Sequence, residues 1–292
     1  MKTDFIYEKV TNVIIKKLET GVIPWQKPWN GKAFQPKNLI SKRDYRGFNN
    51  FLLNCSGFEQ PGWISFKQCK KLGGLIKKGA GAMPVTFFEL KNYADEDGKI
   101  QKYPFIKYYN VFNLEQTEGL EHLLVDPYVK QIDFNPIPEC EIIISNYKVC
   151  PEIVHKEQQA YYRPSEDVIN IPKKDSFRTV EEYYATLFHE ATHSTGHEKR
   201  LNRRNSKEAR IFGDSKYSKE ELVAEMGATM LCSIAGIENK TIDNSAAYIK
   251  SWLSALKNDQ KLLIQAGTRA QQACDHILNR TYGEYNDTAT IA

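Results

Sequence analysis

The chain has 292 residues, of which 41% are hydrophobic and 12% aromatic, and this composition excludes an intrinsically disordered protein. Its length is sufficient for two domains, each with a core of its own. Six scattered cysteines without a C-x-x-C pair suit a reducing compartment, so we expect a cytoplasmic protein. Charges interrupt the apolar stretches near the start and no apolar run approaches the length of a bilayer, so we expect neither a signal peptide nor a membrane span.

The formal net charge of +4 is distributed unevenly along the chain. Residues 1–91 contain 16 Lys and Arg against 6 Asp and Glu, a net charge of +10, and the remaining residues carry −6. A basic block followed by a slightly acidic one indicates that the first block contacts nucleic acid while the second has another task.

The basic block begins with an amphipathic helix, predicted over residues 5–20. Aromatic and basic side chains then alternate in three segments, residues 23–29, 41–50 and 63–79. Single-stranded nucleic acid is bound in this way, because cations follow the phosphates while aromatic rings stack on unpaired bases. For any single aromatic residue the alternative is a place in the core. The predicted DNA contacts are Trp25, Lys27, Trp29, Arg43, Tyr45, Arg46, Asn49, Trp63, Lys67, Lys77 and Lys78.

Two β-rich runs, residues 83–90 and 103–114, flank an acidic turn that contains Asp97-Gly98, and they predict a β-hairpin. Prolines and mixed polarity in the following stretch are typical of a linker. The sequence therefore predicts two α+β domains: a basic domain at 1–125, a linker at 126–145 and a second domain at 146–292.

An alternating run bounded by turn residues, 160–172, predicts a strand in the second domain. Such a strand is either an ordinary sheet edge or one that receives an extended peptide by edge pairing.

Three of the six histidines lie within residues 189–197, where His189, Glu190 and His193 form the pattern H-E-x-x-H. Thr179 begins a capping box and Gly196 suits a helix end, so the pattern is predicted to lie on a helix. Histidines four residues apart project from one helix face and can bind one ion. In this arrangement the histidines bind zinc and the glutamate activates a water molecule, as in metallopeptidases.

A catalytic zinc ion needs a third protein ligand. His197 is close in sequence, but it follows the predicted helix end at Gly196. The spacing also differs from the metzincin pattern H-E-x-x-H-x-x-G-x-x-H, because Lys199 stands where that pattern has its last histidine. His197 is therefore the weaker candidate.

The better candidates lie on a second predicted helix that begins at Ser218 and ends near Gly236. Its acids resemble the glutamate-zincin pattern E-x-x-x-D, in which the first acid binds zinc and the second orients a histidine ligand. This resemblance implies that Glu221 is a ligand and that Glu225 orients a histidine, with Glu225 as the alternative ligand. Glu221 has a second interpretation, because Ser218-x-x-Glu221 is also a capping box. A helical stretch from residue 245 to about 279 is predicted to pack behind the site.

Taken together, these motifs resemble the ArdC family of antirestriction proteins, which conjugative plasmids and phages carry. The N-terminal half is similar to that family's single-stranded DNA-binding domain in residues 21–29, 45–49, 63–68, 77–79 and 111–114. The C-terminal half is similar to its zincin-like metallopeptidase domain in the strand before residue 172 and in residues 189–197, 200–203 and 220–228. The resemblance implies a metal centre, binding of single-stranded DNA and protection of incoming DNA against restriction.

Two functional hypotheses follow. In the first, zinc at His189, His193 and Glu221 serves a metallopeptidase in which Glu190 is the general base and Tyr217 supports the oxyanion, with a protein substrate or restriction-system protein as its target. Manganese, cobalt or nickel are alternatives to zinc. In the second hypothesis, the protein shields single-stranded DNA and its metal domain is structural or docks another protein.

Overall fold

The computed structural model describes residues 2–20, 35–94, 100–125, 136–203, 215–237 and 246–280. Helices and sheets occur in both halves, so the predicted α+β class is confirmed. Within these ranges, no helix combines the length and the apolar character needed to cross a bilayer.

The N-terminal half is built around a four-stranded sheet with the order β1-β2-β5-β4 and a separate β3-β6 pair. The hairpin of β4 and β5 is confirmed and is longer than predicted, with a register that runs from Met83 opposite Val111 to Ala94 opposite Ile100. The elements of this half are α1 (Lys2–Glu19), β1 (Lys37–Asn38), α2 (Gly47–Asn54), β2 (Gly62–Ser65), α3 (Phe66–Lys71), β3 (Leu75–Ile76), β4 (Met83–Ala94), β5 (Ile100–Asn113) and β6 (Thr117–Glu118).

The C-terminal half consists of helices around a three-stranded sheet with the order β7-β9-β8. Helix α8 packs against the long helix α6 and also contacts α5. The predicted C-terminal helical stretch is therefore two helices, of which α8 lies behind α5 and α6 while α7 packs against α1 and α8. The elements of this half are α4 (Pro136–Asn146), β7 (Glu152–Val154), β8 (Tyr161–Arg163), β9 (Val168–Asn170), α5 (Val180–Ser194), α6 (Ser215–Ala235), α7 (Ala246–Asn258) and α8 (Leu262–Ile277).

The second half of the predicted linker, residues 136–145, forms helix α4 instead. Prolines in a first helical turn do not break a helix, because the amide protons missing there have no intrahelical acceptor. Cys140 and Ile143 are fully buried, so this helix belongs to the core. Residues 126–135 lie outside the described ranges.

The strand predicted over residues 160–172 is two short strands, β8 and β9, joined by a turn at which Asp167 has φ +53°. The central strand is β9, which pairs with β7 in parallel and with β8 in antiparallel orientation. Because both of its edges are paired, β9 cannot accept a peptide by edge pairing. β8 belongs to the same predicted run and lies at an edge of the sheet, so the edge-pairing alternative stays a prediction for β8.

One hydrophobic core passes through both halves and includes Val10 of α1, Phe51 of α2 and Leu263 of α8. At the contact between α2 and α8, a Cβ on Gly267 would lie 2.8 Å from the Cβ of Phe48. The backbones of the two halves therefore touch there, and the positions of the domain boundaries stay a prediction.

Candidate metal centre

The H-E-x-x-H motif lies on α5, as predicted. Thr179 caps this helix by accepting a hydrogen bond from the amide of Glu182. His189 and His193 project from the same face, with their Nε2 atoms 3.1 Å apart. Glu190 follows His189 directly and is 8% exposed. The end of α5 differs from the prediction: Gly196 does not adopt a left-handed conformation, and the chain continues in tight turns.

Helix α6 brings a carboxylate to the two imidazoles. The Oε1 atom of Glu221 lies 3.2 Å from Nε2 of His193, and its Oε2 atom lies 3.5 Å from Nε2 of His189. One ligand atom from each of these residues lies within 4.8 Å of the others, and no other such group occurs in the described part of the chain. Two imidazoles and one carboxylate are a donor set that zinc sites use.

Glu221 lies inside α6, because the helix begins at Ser215 and not at Ser218. Ser218 is therefore not a helix cap, and the capping interpretation of Glu221 is wrong. The predicted end of this helix is confirmed, since α6 stops at Ala235 and Gly236 follows with φ +68°.

A close helix crossing sets the position of Glu221. At Gly227 of α6, an added Cβ would lie 2.5 Å from Cγ2 and 2.7 Å from Oγ1 of Thr192 on α5. Only glycine permits this approach. The acidic face of α6 therefore lies directly against the histidine face of α5.

The electrostatics of the group fit a cation. Burial alone would lower the pKa of His193, but the carboxylates of Glu221 and Glu220 outweigh it and raise that pKa to about 10. Burial would raise the pKa of Glu221, yet His193 and His189 hold it well below its usual range. The carboxylate of Glu221 and the imidazoles of His189 and His193 thus stabilise one another in their charged forms. A bound divalent ion would take the place of the imidazole protons.

A second layer of polar contacts surrounds His193. The Oε1 atom of Glu220 lies 3.9 Å from its Nδ1 atom, on the ring side away from Glu221. Glu220 is paired with Arg203 at 2.9 Å. Arg203 also donates to Oγ1 of Thr195 at 2.6 Å, so its guanidinium ties Glu220 to the end of α5.

The sequence interpretation did not assign a role to Glu220 or Arg203. It assigned histidine orientation to Glu225, which is 4% exposed. Burial would lower the pKa of His189, but the hydrogen bond with Glu221 and the charges of Glu225 and Glu190 raise it. His197 lies beyond α5, where its Nδ1 atom accepts a hydrogen bond from the amide of Lys199, and it is not part of the ligand group.

Arg200 fixes the C-terminal end of α5 to the small sheet. Its Nε atom donates to the carbonyl oxygen of Ser194 at 2.7 Å, and its guanidinium is paired with Asp167. Tyr162 of β8 joins this group through a hydrogen bond from Arg200 at 3.0 Å. A cation at a helix C-terminus is stabilising, because the last carbonyls of the helix carry partial negative charge.

Two predicted DNA-contacting aromatic residues are core residues. Trp63 is 2% exposed and packs edge-on against Phe58, and Tyr45 is 7% exposed. Buried rings cannot stack on bases, so we do not retain these two as DNA contacts. The sequence pattern could not separate them from surface rings, because burial depends on tertiary packing.

Two other predicted DNA-contacting residues, Arg46 and Asn49, form side-chain hydrogen bonds with other residues of the protein. The Nη2 atom of Arg46 donates to both carboxylate oxygens of Asp275 on α8, at 2.5 and 2.6 Å. The side chain of Asn49 donates to the carbonyl oxygen of Thr86 at 2.6 Å and accepts from its amide at 2.8 Å. The side chain of Arg46 therefore connects the start of α2 to α8, and that of Asn49 connects α2 to β4.

The remaining predicted contacts divide into two groups. Exposed cations are Arg43, Lys67, Lys77 and Lys78. Trp25, Lys27 and Trp29 lie outside the described residues, and the side chain of Tyr217 is also not described.

Comparison with known proteins identifies both halves. A family model for the N-terminal domain of the anti-restriction factor ArdC matches residues 4–112. A model described as a zincin-like metallopeptidase matches residues 138–269. The C-terminal half therefore has the zincin-like fold that the family resemblance implied.

Several relatives cover nearly the whole chain. An uncharacterised protein of Sinorhizobium fredii, y4eC, is 32% identical over 92% of this chain and 90% of its own length. Two proteins named DNA primase TraC from Escherichia coli are 32% and 31% identical over 93% of this chain. The chain spans only 27% and 20% of the length of these two primases.

Solved structures give the same result. The metal-free crystal structure of the antirestriction protein ArdC from plasmid R388 has a TM-score of 0.72 and 36% identity, covering 94% of this chain and 98% of that one. The Mn(II)-bound structure of the same protein has a TM-score of 0.71 and 35% identity, covering 96% and 99%. With this similarity over nearly the full length of both chains, the protein belongs to the ArdC family of antirestriction proteins.

Proposed function

We propose that this antirestriction protein binds single-stranded DNA through its basic N-terminal half and hydrolyses a peptide bond at a metal centre in its C-terminal half. The observation that carries the enzymatic part is the meeting of His189, His193 and Glu221 around one point, with Glu190 next to the first histidine. The setting we propose is the cytoplasm of a cell that receives DNA by plasmid conjugation.

The donor set fits a divalent transition metal. Imidazole nitrogens and a carboxylate oxygen suit zinc, and the Mn(II)-bound structure of the R388 ArdC protein supports a divalent metal. We propose zinc as the native ion, with manganese, cobalt and nickel as the alternatives.

Glu190 would carry the proton transfer. A divalent ion bound at this site supplies Lewis acidity. The Glu190 carboxylate would accept a proton from the attacking water and pass it to the leaving amine nitrogen. Glu220 would orient His193, because its Oε1 atom lies 3.9 Å from Nδ1 of that ring. Glu225 would orient His189, and its charge helps to raise the pKa of that imidazole.

The test compares Glu190→Ala with His189→Ala. Glu190→Ala is expected to retain metal and DNA while losing protection of incoming DNA in a conjugation assay, because the ligands stay and the base is gone. His189→Ala should lose metal as well. Full protection by Glu190→Ala would overturn the peptidase function and leave the second hypothesis, in which the protein shields DNA and the metal domain is structural or docks a restriction-system protein.

The DNA-binding part is supported by surface cations. Arg43, Lys67 and Lys78 are exposed, and the amine of Lys77 reaches the carbonyl oxygen of Glu115 while the residue stays exposed. Phosphate contacts release counterions, so binding of a single-stranded oligonucleotide must weaken as salt rises. Binding that does not depend on salt, or no binding at all, would refute this part of the function.

A further inference from the structure

An exposed surface in the N-terminal half combines apolar side chains with lysines. Phe66 is 59% exposed and Leu75 is 64% exposed, although side chains of this size are usually buried. Lys67, Lys70 and Lys71 are exposed on the same short helix. We call these five residues the α3 patch.

The fold holds the patch in place. Ser65 and Gln68 form a reciprocal capping box at the start of α3, with hydrogen bonds of 3.0 and 3.3 Å. Cys69 is the buried residue of α3 and packs with Leu114 and Leu120 in a small core. Because position 69 points inward, positions 66, 67, 70 and 71 are left on the outer side of the helix.

Strand β3 extends the same surface. It follows α3 after the turn at residues 72–74 and contacts that helix. Its Ile76 packs on the small core while Leu75 points outward, as alternation along a strand requires. An added Cβ on Gly74 would lie 2.6 Å from Cγ of Leu120, so the turn is pressed closely onto the core.

The charge of this region selects the kind of partner. Between Glu59 and Glu89 the chain contains five lysines and no aspartate or glutamate. Lysines are depleted from the centres of protein–protein interfaces, whereas single-stranded nucleic acid is bound where cations flank exposed rings. Glu118, opposite Leu75 on β6, marks the acidic border of the patch.

We propose that the α3 patch is the surface on which unpaired bases stack, with Phe66 as the stacking ring and Lys67, Lys70 and Lys71 as the phosphate contacts. This inference rests on the proposed binding of single-stranded DNA and gives it a location. It assigns to Phe66 the role that the sequence pattern had given to the buried Trp63.

The experiment measures binding of a fluorescently labelled oligothymidylate to the full chain by anisotropy over a series of salt concentrations. Loss of one base–ring stack in Phe66→Ala is expected to weaken binding about 5- to 150-fold at every salt concentration, with the salt slope unchanged. Neutralising Lys67, Lys70 and Lys71 together with glutamine is expected to reduce the slope by about 2, at about 0.7 for each phosphate contact on a single strand.

Matched controls come from the other half of the protein. Ile142→Ala removes a side chain that is 49% exposed on α4, and it should leave the affinity unchanged. Replacing the exposed residues Lys148, Lys156 and Lys173 with glutamine changes the net charge by the same amount and should alter the slope far less.

The outcomes separate the two proposals. If the unaltered protein does not bind the oligonucleotide, the DNA-binding function itself fails. If that protein binds and Phe66→Ala binds equally well, or if both lysine variants change the slope equally, the assignment of the α3 patch is overturned. Recovery of affinity in Phe66→Trp supports it, as does tighter binding by Glu118→Gln, which removes a repelling charge. Denaturant midpoints for each variant exclude a loss of folding as the cause.

Discussion

Replacement of Gly227 with alanine tests whether the crossing of α5 and α6 creates the metal centre. The new methyl carbon would lie 2.5 Å from Cγ2 of Thr192 and 3.2 Å from its Cβ. Carbon atoms in ordinary contact are about 3.5–4.0 Å apart, so the helices must separate by about 1 Å or Thr192 must turn. Thr192 is fully buried, and its hydroxyl already donates to the carbonyl oxygen of Phe188 at 2.7 Å, which leaves it little freedom.

Two quantities are expected to change in Gly227→Ala. Overpacking of this size costs about 1–3 kcal/mol in the free energy of unfolding, which denaturant titration measures. Moving Glu221 by about 1 Å against the two histidines exceeds the tolerance of a metal site, so metal affinity is expected to fall about tenfold or more in competition with a chelator. Gly81→Ala is the matched control, because nothing lies within 4 Å of a Cβ at that position.

A double-mutant cycle with Thr192→Ala sharpens the test. This second change removes the two atoms that the new methyl would strike and leaves only the contact at 3.2 Å. Metal affinity in the double variant is therefore expected to recover, with a coupling energy of about 1–3 kcal/mol. Unchanged affinity in Gly227→Ala, or strictly additive effects in the cycle, would show that this crossing does not position the ligands.

Two further predictions concern the carboxylate of Glu220 beside His193 and the ion pair of Asp167 with Arg200 at the C-terminal end of α5. Glu220→Gln removes the charge that faces His193 and is expected to weaken metal binding about tenfold, as measured by chelator competition; an unchanged affinity would contradict an orienting role. Burial would raise the pKa of Asp167, but hydrogen bonds from Arg200 and Tyr162 lower it from its ordinary 3.8 to about 2. A folded-state pKa below the unfolded one stabilises the protein above about pH 4, and this stabilisation is lost as the pH falls toward 2. Asp167→Asn should therefore lower the free energy of unfolding by about 1–2 kcal/mol at neutral pH, after a discount for solvent screening, and by progressively less as urea titrations are repeated at lower pH. A difference that does not depend on pH would refute this ion pair.

The predictions that succeeded rest on local signals. The metal helix begins at a threonine cap that its own sequence specifies, and α6 ends at a glycine with positive φ. The hairpin of β4 and β5 was recognisable from strand-forming residues around Asp97-Gly98. Caps, turns and periodicity act over a few residues, so they can be recognised before the chain is folded.

The predictions that failed depend on distant parts of the chain. Trp63 and Phe66 stand three residues apart among the same lysines, and only the packing of β2 and α3 decides that the first is buried and the second exposed. Glu220 and Glu221 are neighbours in sequence that face different nitrogen atoms of His193. Which face of α6 meets α5 depends on tertiary contacts such as the one between Gly227 and Thr192, which no sequence pattern indicates.

The segment of residues 45–49 shows why a resemblance to a DNA-binding family does not by itself identify a binding site. Arg46 is bound to Asp275, the amide of Gly47 donates to Oε1 of Gln271 at 2.6 Å, and Phe48 packs on the backbone at Gly267. All three partners lie on α8, which packs against α6, the helix that carries Glu221. The segment thus attaches the N-terminal half to the support of the metal centre. If an Arg46 variant lost DNA binding, the cause could therefore be the broken ion pair with Asp275 as readily as a lost phosphate contact. Only a variant whose free energy of unfolding is unchanged can identify a DNA contact.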